Sequence, residues 1–138
     1  MSYIPMTPPN GGVSYSTEEQ DTGLTWINGK KIYQITVEFG ALPNNGTKDV
    51  ICTGMGTNVE DIIEISGIAR GTASVSSTAS FIPLCYAYGG SDANWYKWPI
   101  SYFIRQQDNG HYKTIRLSTF TDRSANIAYF TIRYTKSS

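Results

Sequence analysis

The chain has 138 residues, with eleven basic and eleven acidic side chains and a formal net charge of zero. That balance leaves no field to draw in phosphates or anionic lipid by counterion release, so no nucleic-acid partner is expected. The apolar residues come in short runs broken by Gly, Pro, Asn or Ser, far from the roughly 20 consecutive apolar residues that span a bilayer, so no membrane insertion is expected either.

A chain of this size buries roughly two thirds of the surface it exposes when unfolded, enough for one core without metal or disulfide staples. Residues 1–13 read as an N-terminal Pro/Gly arm or linker, because Pro5, Pro8, Pro9 and Asn10-Gly11-Gly12 cannot hold a helix or a ladder. The same stretch has no basic cluster and no apolar h-region, so a secretory leader is not expected and an extracellular life would follow from cytosolic assembly and lysis. Residues 14–138 read as one β-sandwich domain.

Asn28-Gly29, after Trp26-Ile27, predicts a two-residue hairpin turn of the kind that needs positive φ at both central positions. From Ile32 to Phe39 the chain alternates, with Tyr33, Ile35, Val37 and Phe39 on one face and Gln34, Thr36 and Glu38 on a wet one. Leu42-Pro43-Asn44-Asn45-Gly46 supplies a turn, and Lys48 to Thr53 is extended and β-branched. Asn58-Val59-Glu60-Asp61 fits a single helical turn before a strand from Ile62 to Ala69.

Thr72 to Ser80 is a Ser/Thr/Ala loop or weak edge strand, and Pro83 marks Phe81 to Tyr86 as an edge. Tyr88 to Ala93 is a Gly-containing loop. Trp95 to Arg105 is extended and leads through Asp108-Asn109-Gly110, the strongest hairpin signal in the chain, to a partner strand from Tyr112 to Thr119. The last strand runs from Ile127 to Thr135, with Ala128, Phe130, Ile132 and Tyr134 opposite Ile127, Tyr129, Thr131, Arg133 and Thr135. Seven or eight short strands without an amphipathic helix of ten residues make an all-β chain, an antiparallel sandwich of jelly-roll type.

Little in the sequence points to bond chemistry. Cys52 and Cys85 lack metal-site or redox spacing and read as buried free thiols, and the single histidine, His111, follows a turn where it faces solvent. No GxSxG, HExxH, P-loop, GxGxxG or EF-hand pattern occurs. Glycoside hydrolysis needs only two flanking carboxylates, for which Glu38, Glu60, Asp61, Glu64, Asp92 and Asp122 are available. Glu60, Asp61 and Glu64 read better as a solvated turn and strand face, and Asp122-Arg123 as a local ion pair. Asn45-Gly46-Thr47 matches a glycosylation sequon but arises readily in a turn. No enzymatic activity, cofactor or metal is expected.

The informative cluster is aromatic: Tyr86, Tyr88, Trp95, Tyr96, Trp98 and Tyr102, interrupted by Gly89-Gly90-Ser91-Asp92. Flat rings with polar handles stack on sugar faces and dominate contact surfaces. On a regular strand Tyr96, Trp98, Ile100, Tyr102 and Ile104 share the core face, and Trp95, Lys97, Pro99, Ser101 and Phe103 the other. Tyr88, Asp92, Trp95 and Lys97 are therefore the expected ligand-facing residues.

Tyr15-Ser16-Thr17-Glu18-Glu19, then Thr25-Trp26-Ile27-Asn28-Gly29-Lys30 with Ile32-Tyr33, then Phe39-Gly40-Ala41-Leu42-Pro43-Asn44, resemble the opening of a C-terminal domain common in minor virion proteins of phages and prophages. Tail fibres, receptor-binding proteins and head fibres carry such domains. Ala128-Tyr129-Phe130-Thr131-Ile132-Arg133-Tyr134-Thr135-Lys136 is similar to that family's closing strand. The likeness runs from about Tyr15 to Lys136, while Pro83-Leu84-Cys85-Tyr86 departs from the family's Pro-Leu-Pro-Tyr and the Trp/Tyr-rich middle is this sequence's own.

The resemblance implies a β-sandwich head domain, usually trimeric, displayed at the end of a fibre on the phage particle surface, with no cofactor and no catalytic residues to carry over. The function expected from it is non-catalytic adhesion to a bacterial surface glycan. The partners would be two further copies in a homotrimer, a bacterial surface polysaccharide, and an upstream fibre shaft or other virion proteins; three copies turn weak contacts into avidity. The alternative is a structural capsid or tail fibre knob that directs trimer assembly or decorates the particle, and a small depolymerase is the third class.

Overall fold

The alternating registers read from the sequence are those of strands buried on one side, and they fold into two antiparallel sheets. The structure, a computed structural model, describes residues 13–71, 81–84, 100–106, 112–120 and 122–137. One sheet has the order β1-β2-β8-β4-β5, built from β1 (Gln20–Thr25), β2 (Lys31–Ala41), β8 (Asn126–Lys136), β4 (Val59–Gly71) and β5 (Phe81–Pro83). The other has the order β3-β7-β6, built from β3 (Thr47–Ile51), β7 (Lys113–Thr119) and β6 (Ile100–Gln106). Pro83 stands where its missing N–H costs least, in a short strand that ends the sheet order and, among the described residues, pairs with β4 alone.

One core lies between the sheets. Ile35, Phe39, Ala128, Phe130, Ile132 and Tyr134 come from the five-stranded sheet and Ile100, Ile115 and Leu117 from the three-stranded one, with Leu42, Cys52, Met55 and Leu84 filling the margins. Phe130 joins the layers, its ring meeting Phe39 edge-on at 5.6 Å and Tyr102 of the opposite sheet at 4.8 Å, the edge-to-face geometry that the ring quadrupole favours. Lys48 of β3 ties the layers at their rim, donating from Nζ to Phe39 O at 3.0 Å and Ala41 O at 2.7 Å. Of the two opposite rows of β8, Ala128, Phe130, Ile132 and Tyr134 are fully buried, and in β6 Ile100, Tyr102 and Ile104 face the core while Ser101 and Phe103 are exposed.

Several expectations are corrected. The reversal at Asn28-Gly29 is not a two-residue turn: Gly29 N donates to Trp26 O at 2.8 Å and Trp26 N to Lys30 O at 2.8 Å, and of the pair only Gly29 has positive φ (84°). This is a three-residue loop ending in a glycine bulge. No helical turn forms at Asn58 to Asp61; β4 begins at Val59 and runs 13 residues, and the 3-10 turn lies earlier, at Thr53–Met55. The pairing of β4 with β8 shifts register on both sides of Ile62. Gln34, assigned to a wet face, is only 4% exposed, because the segment from Ser14 to Ser16 folds over that end of β2. The loops at 72–80 and 88–93 and the turn at 108–110 lie outside the described residues, although β6 and β7 pair as that turn requires.

Candidate functional site

Three rows of side chains cross the outer face of the five-stranded sheet, set by the pairings of β8 with β2 and β4. The first is Gln34, Arg133 and Glu64; the second Thr36, Thr131 and Ser66; the third Glu38, Tyr129 and Ile68. The middle row is entirely hydroxyl, and Thr36 Oγ1 lies 3.3 Å from Thr131 Oγ1. An open trough of about 500 Å³ runs over it, floored by Thr36, Thr131, Ser66 and Gly67 and walled by Ile68, Tyr129 and Tyr15.

Tyr15 is positioned by bonds on both sides of it. Ser14 N donates to Gln20 Oε1 at 2.9 Å, and Gln20 Nε2 returns a bond to Ser14 Oγ at 3.0 Å. Thr36 N donates to Ser16 O at 2.7 Å, and Gln34 Nε2 reaches Ser14 O at 3.4 Å. Gln34 is in turn held by Arg133 Nε, which donates to its Oε1 at 2.8 Å. The Tyr15 ring is left 82% exposed beside the trough, with Tyr129 at 40% and Ile68 at 47% on the far side.

This arrangement has the shape and the groups to hold a ligand. Its lining, Tyr15, Thr36, Ser66, Gly67, Ile68, Tyr129 and Thr131, is made of hydroxyls, rings and apolar groups. Hydroxyls supply donors and acceptors together, and rings supply flat apolar area with a polar tip. The volume lies within the range of about 300–1,000 Å³ typical of small-ligand sites.

A second, smaller dent of about 200 Å³ is lined by Lys30, Lys31, Lys136 and Tyr33. Its charge is already neutralised: Lys30 pairs with Glu60 at 2.5 Å, Lys31 with Asp21 at 3.5 Å, and Lys136 with Glu19. Glu19 also accepts from the Tyr134 hydroxyl, so this cluster fastens the segment ahead of β1 to the last strand. Burial first, and the adjacent Glu19 carboxylate second, push the Tyr134 phenol far above its ordinary range, so it serves as a fixed donor.

The expected ligand-facing residues Tyr88, Asp92, Trp95 and Lys97 lie outside the described residues, as do His111 and Cys85. Cys52 is buried and free, and burial pushes its thiol up to about 11, which keeps it protonated and inert at neutral pH. Among the carboxylates, Glu38, Glu60, Asp61, Glu64 and Asp122 are all exposed. Asp122 is engaged by its own turn, its Oδ1 accepting from Ser124 N at 2.9 Å and Ser124 Oγ at 2.6 Å, in place of the expected pairing with Arg123, which is buried. Among the described residues no group of three or more His, Cys, Asp or Glu side chains is placed to hold a metal ion.

A scan of protein-family models and searches of curated proteins and of solved structures found no match to this chain. The stretches 15–44 and 128–136 are neighbours in space. β2 pairs with β8 from Tyr33 and Tyr134 to Ala41 and Ile127, and Glu19 bonds to Tyr134 and Lys136. The trough lies across this seam, with Tyr15 and Thr36 from one side and Tyr129 and Thr131 from the other.

Proposed function

We propose that this chain is the head domain of a phage virion fibre, and that it adheres to a bacterial surface glycan without making or breaking bonds. The observation that carries the reading is the trough on the five-stranded sheet: an uncharged hydroxyl floor between exposed rings suits the alternating polar edges and apolar faces of a pyranose chain. Being open to solvent, it suits an internal stretch of polysaccharide. The nested pairing, β2 with the last strand and β3 with the next to last, supports a jelly-roll-like sandwich.

The same reading makes the working particle a homotrimer on an upstream shaft, where three shallow sites act together. Exposed Ile51 and Phe103 on the outer face of the three-stranded sheet, with Phe120 at the end of β7, give subunit contact a place and favour the second reading, a knob that drives fibre assembly or decorates the particle. Glycan-array and whole-cell binding of the purified chain test the first: host-dependent binding that Tyr15→Ala and Tyr129→Ala both weaken supports it, and absence of any host-dependent signal removes it. Deleting the domain from the particle separates the two, since lost adsorption by normal particles favours adhesion and lost fibres favour assembly. Light scattering that finds a monomer throughout the micromolar range would overturn the trimer.

A further inference from the structure

Two Asn-Gly pairs lie among the described residues, and the fold treats them oppositely. At Asn28-Gly29 both reacting partners of a deamidation are occupied: Gly29 N donates to Trp26 O at 2.8 Å, and Asn28 Oδ1 accepts from Lys30 N at 3.1 Å. At Asn45-Gly46 neither is held. Asn45 is exposed and sits at a positive φ of 46°, and neither its side chain nor Gly46 N bonds to any described residue. The turn is anchored through the carbonyls that flank the pair: Gly46 O accepts from Thr119 N at 2.9 Å, and Pro43 O from Thr119 Oγ1 at 3.0 Å and Arg123 N at 3.2 Å.

We infer that Asn45 is a site of spontaneous deamidation, made selective by the fold, while Asn28 is protected. Gly46 N gives up its proton to solvent base and attacks Asn45 Cγ; the N–Cγ bond forms, the Cγ–Nδ2 bond breaks and ammonia leaves with the proton returned by solvent. The resulting five-membered imide is opened by one water at either carbonyl, giving aspartate or its β-linked isomer. No oxidant, cofactor or enzyme enters. Because Gly46 has no side chain, nothing shields the attacking nitrogen. The product adds one negative charge to a chain that starts at zero, eleven positive against twelve negative. The β-linked isomer also lengthens the main chain immediately before β3, at the edge of the three-stranded sheet.

The test is peptide mapping by mass spectrometry after holding the full chain in warm, mildly alkaline buffer, once folded and once in denaturing urea. In the folded chain Asn45 converts about tenfold faster than Asn28 or more, the factor expected when two ordinary hydrogen bonds must open before Asn28 can react. In urea the two rates converge. Equal rates in the folded chain overturn the inference, and so does a ratio that survives denaturation, which would make the preference one of local sequence. Gly46→Ala is the control for mechanism. An added Cβ there would meet only Asn44 O at 3.5 Å, so the fold tolerates it, and the new methyl hinders the attack. Conversion at Asn45 must fall in that variant while its thermal melt stays put; unchanged conversion would rule out the main-chain nitrogen as nucleophile.

Discussion

The two sheets expose outer faces of the same polar/apolar alternation but opposite character. On the three-stranded sheet the polar groups satisfy one another across strands: Arg116 forks onto Asp49 with two bonds of 2.8 Å, and Thr47 Oγ1 lies 2.8 Å from Ser118 Oγ. On the five-stranded sheet the hydroxyl row is one contact short of closure, and the rings of Tyr15 and Tyr129 stand clear of it. A face whose polar groups are mutually paired has little to gain from a ligand, whereas one with open donors, acceptors and ring faces has much. The comparison identifies the five-stranded sheet as the side to perturb.

The largest effect comes from removing what both faces share. Phe130→Ala takes out the ring that joins the layers and should cost about 3–5 kcal/mol, read as a fall in the urea midpoint, with binding and stability lost together. Gly67→Ala comes next and acts from one side: a Cβ there would lie 2.7 Å from Leu84 Cδ1 and 2.7 Å from Phe130 Cδ1. Such overpacking should cost about 1–3 kcal/mol and shift the trough floor, so glycan binding should weaken more than the melt predicts.

Tyr15→Ala and Tyr129→Ala sharpen the comparison most directly. Each should weaken glycan binding by roughly two- to tenfold, the worth of about 0.5–1.5 kcal/mol of ring contact, while the melt stays within about 0.5 kcal/mol of the parent. Phe103→Ala on the other face should leave monomer binding untouched and lower any trimer content; a loss of glycan affinity equal to that of Tyr15→Ala would reverse the assignment of faces.

The smallest effect is on pH dependence. The Arg116 hydrogen bond, with the Arg105 charge adding from farther off, holds the Asp49 carboxyl below its ordinary value of 3.8. A folded pKa below the unfolded one means that the contribution is complete above the unfolded value and lost as pH falls through the folded one. Asp49→Asn should therefore change stability slightly at neutral pH and not at all in strong acid. The pair is exposed enough for salt to screen it.

Much of the fold was legible residue by residue. The two opposite rows of β8, the apolar face of β2, the core face of β6, the edge position of Pro83 and the antiparallel pairing of β6 with β7 all follow from alternation and turn chemistry, which are properties of neighbours in sequence. Tyr129 and Thr131 were legible as sharing one face for the same reason. Their alignment with Thr36 and Ser66 was not, because cross-strand register depends on which strands meet and where bulges fall, as at Glu38 to Gly40 and near Ile62. The same holds for Tyr15 and Gln34: a segment of ordinary polar residues acquires a fixed course only when Gln20, Thr36 and Arg133 are in place to hold it.

Local alternation thus sorted the residues of β2, β6 and β8 into two faces, since that needs only the two-residue repeat of an extended backbone. Which outward residues stand together was decided in three dimensions, where pairing of strands nearly a hundred positions apart brings Thr36 beside Thr131. The same is true of the contrast between the two Asn-Gly pairs, identical as dipeptides and distinguished only by the hydrogen bonds that the folded chain places around one of them.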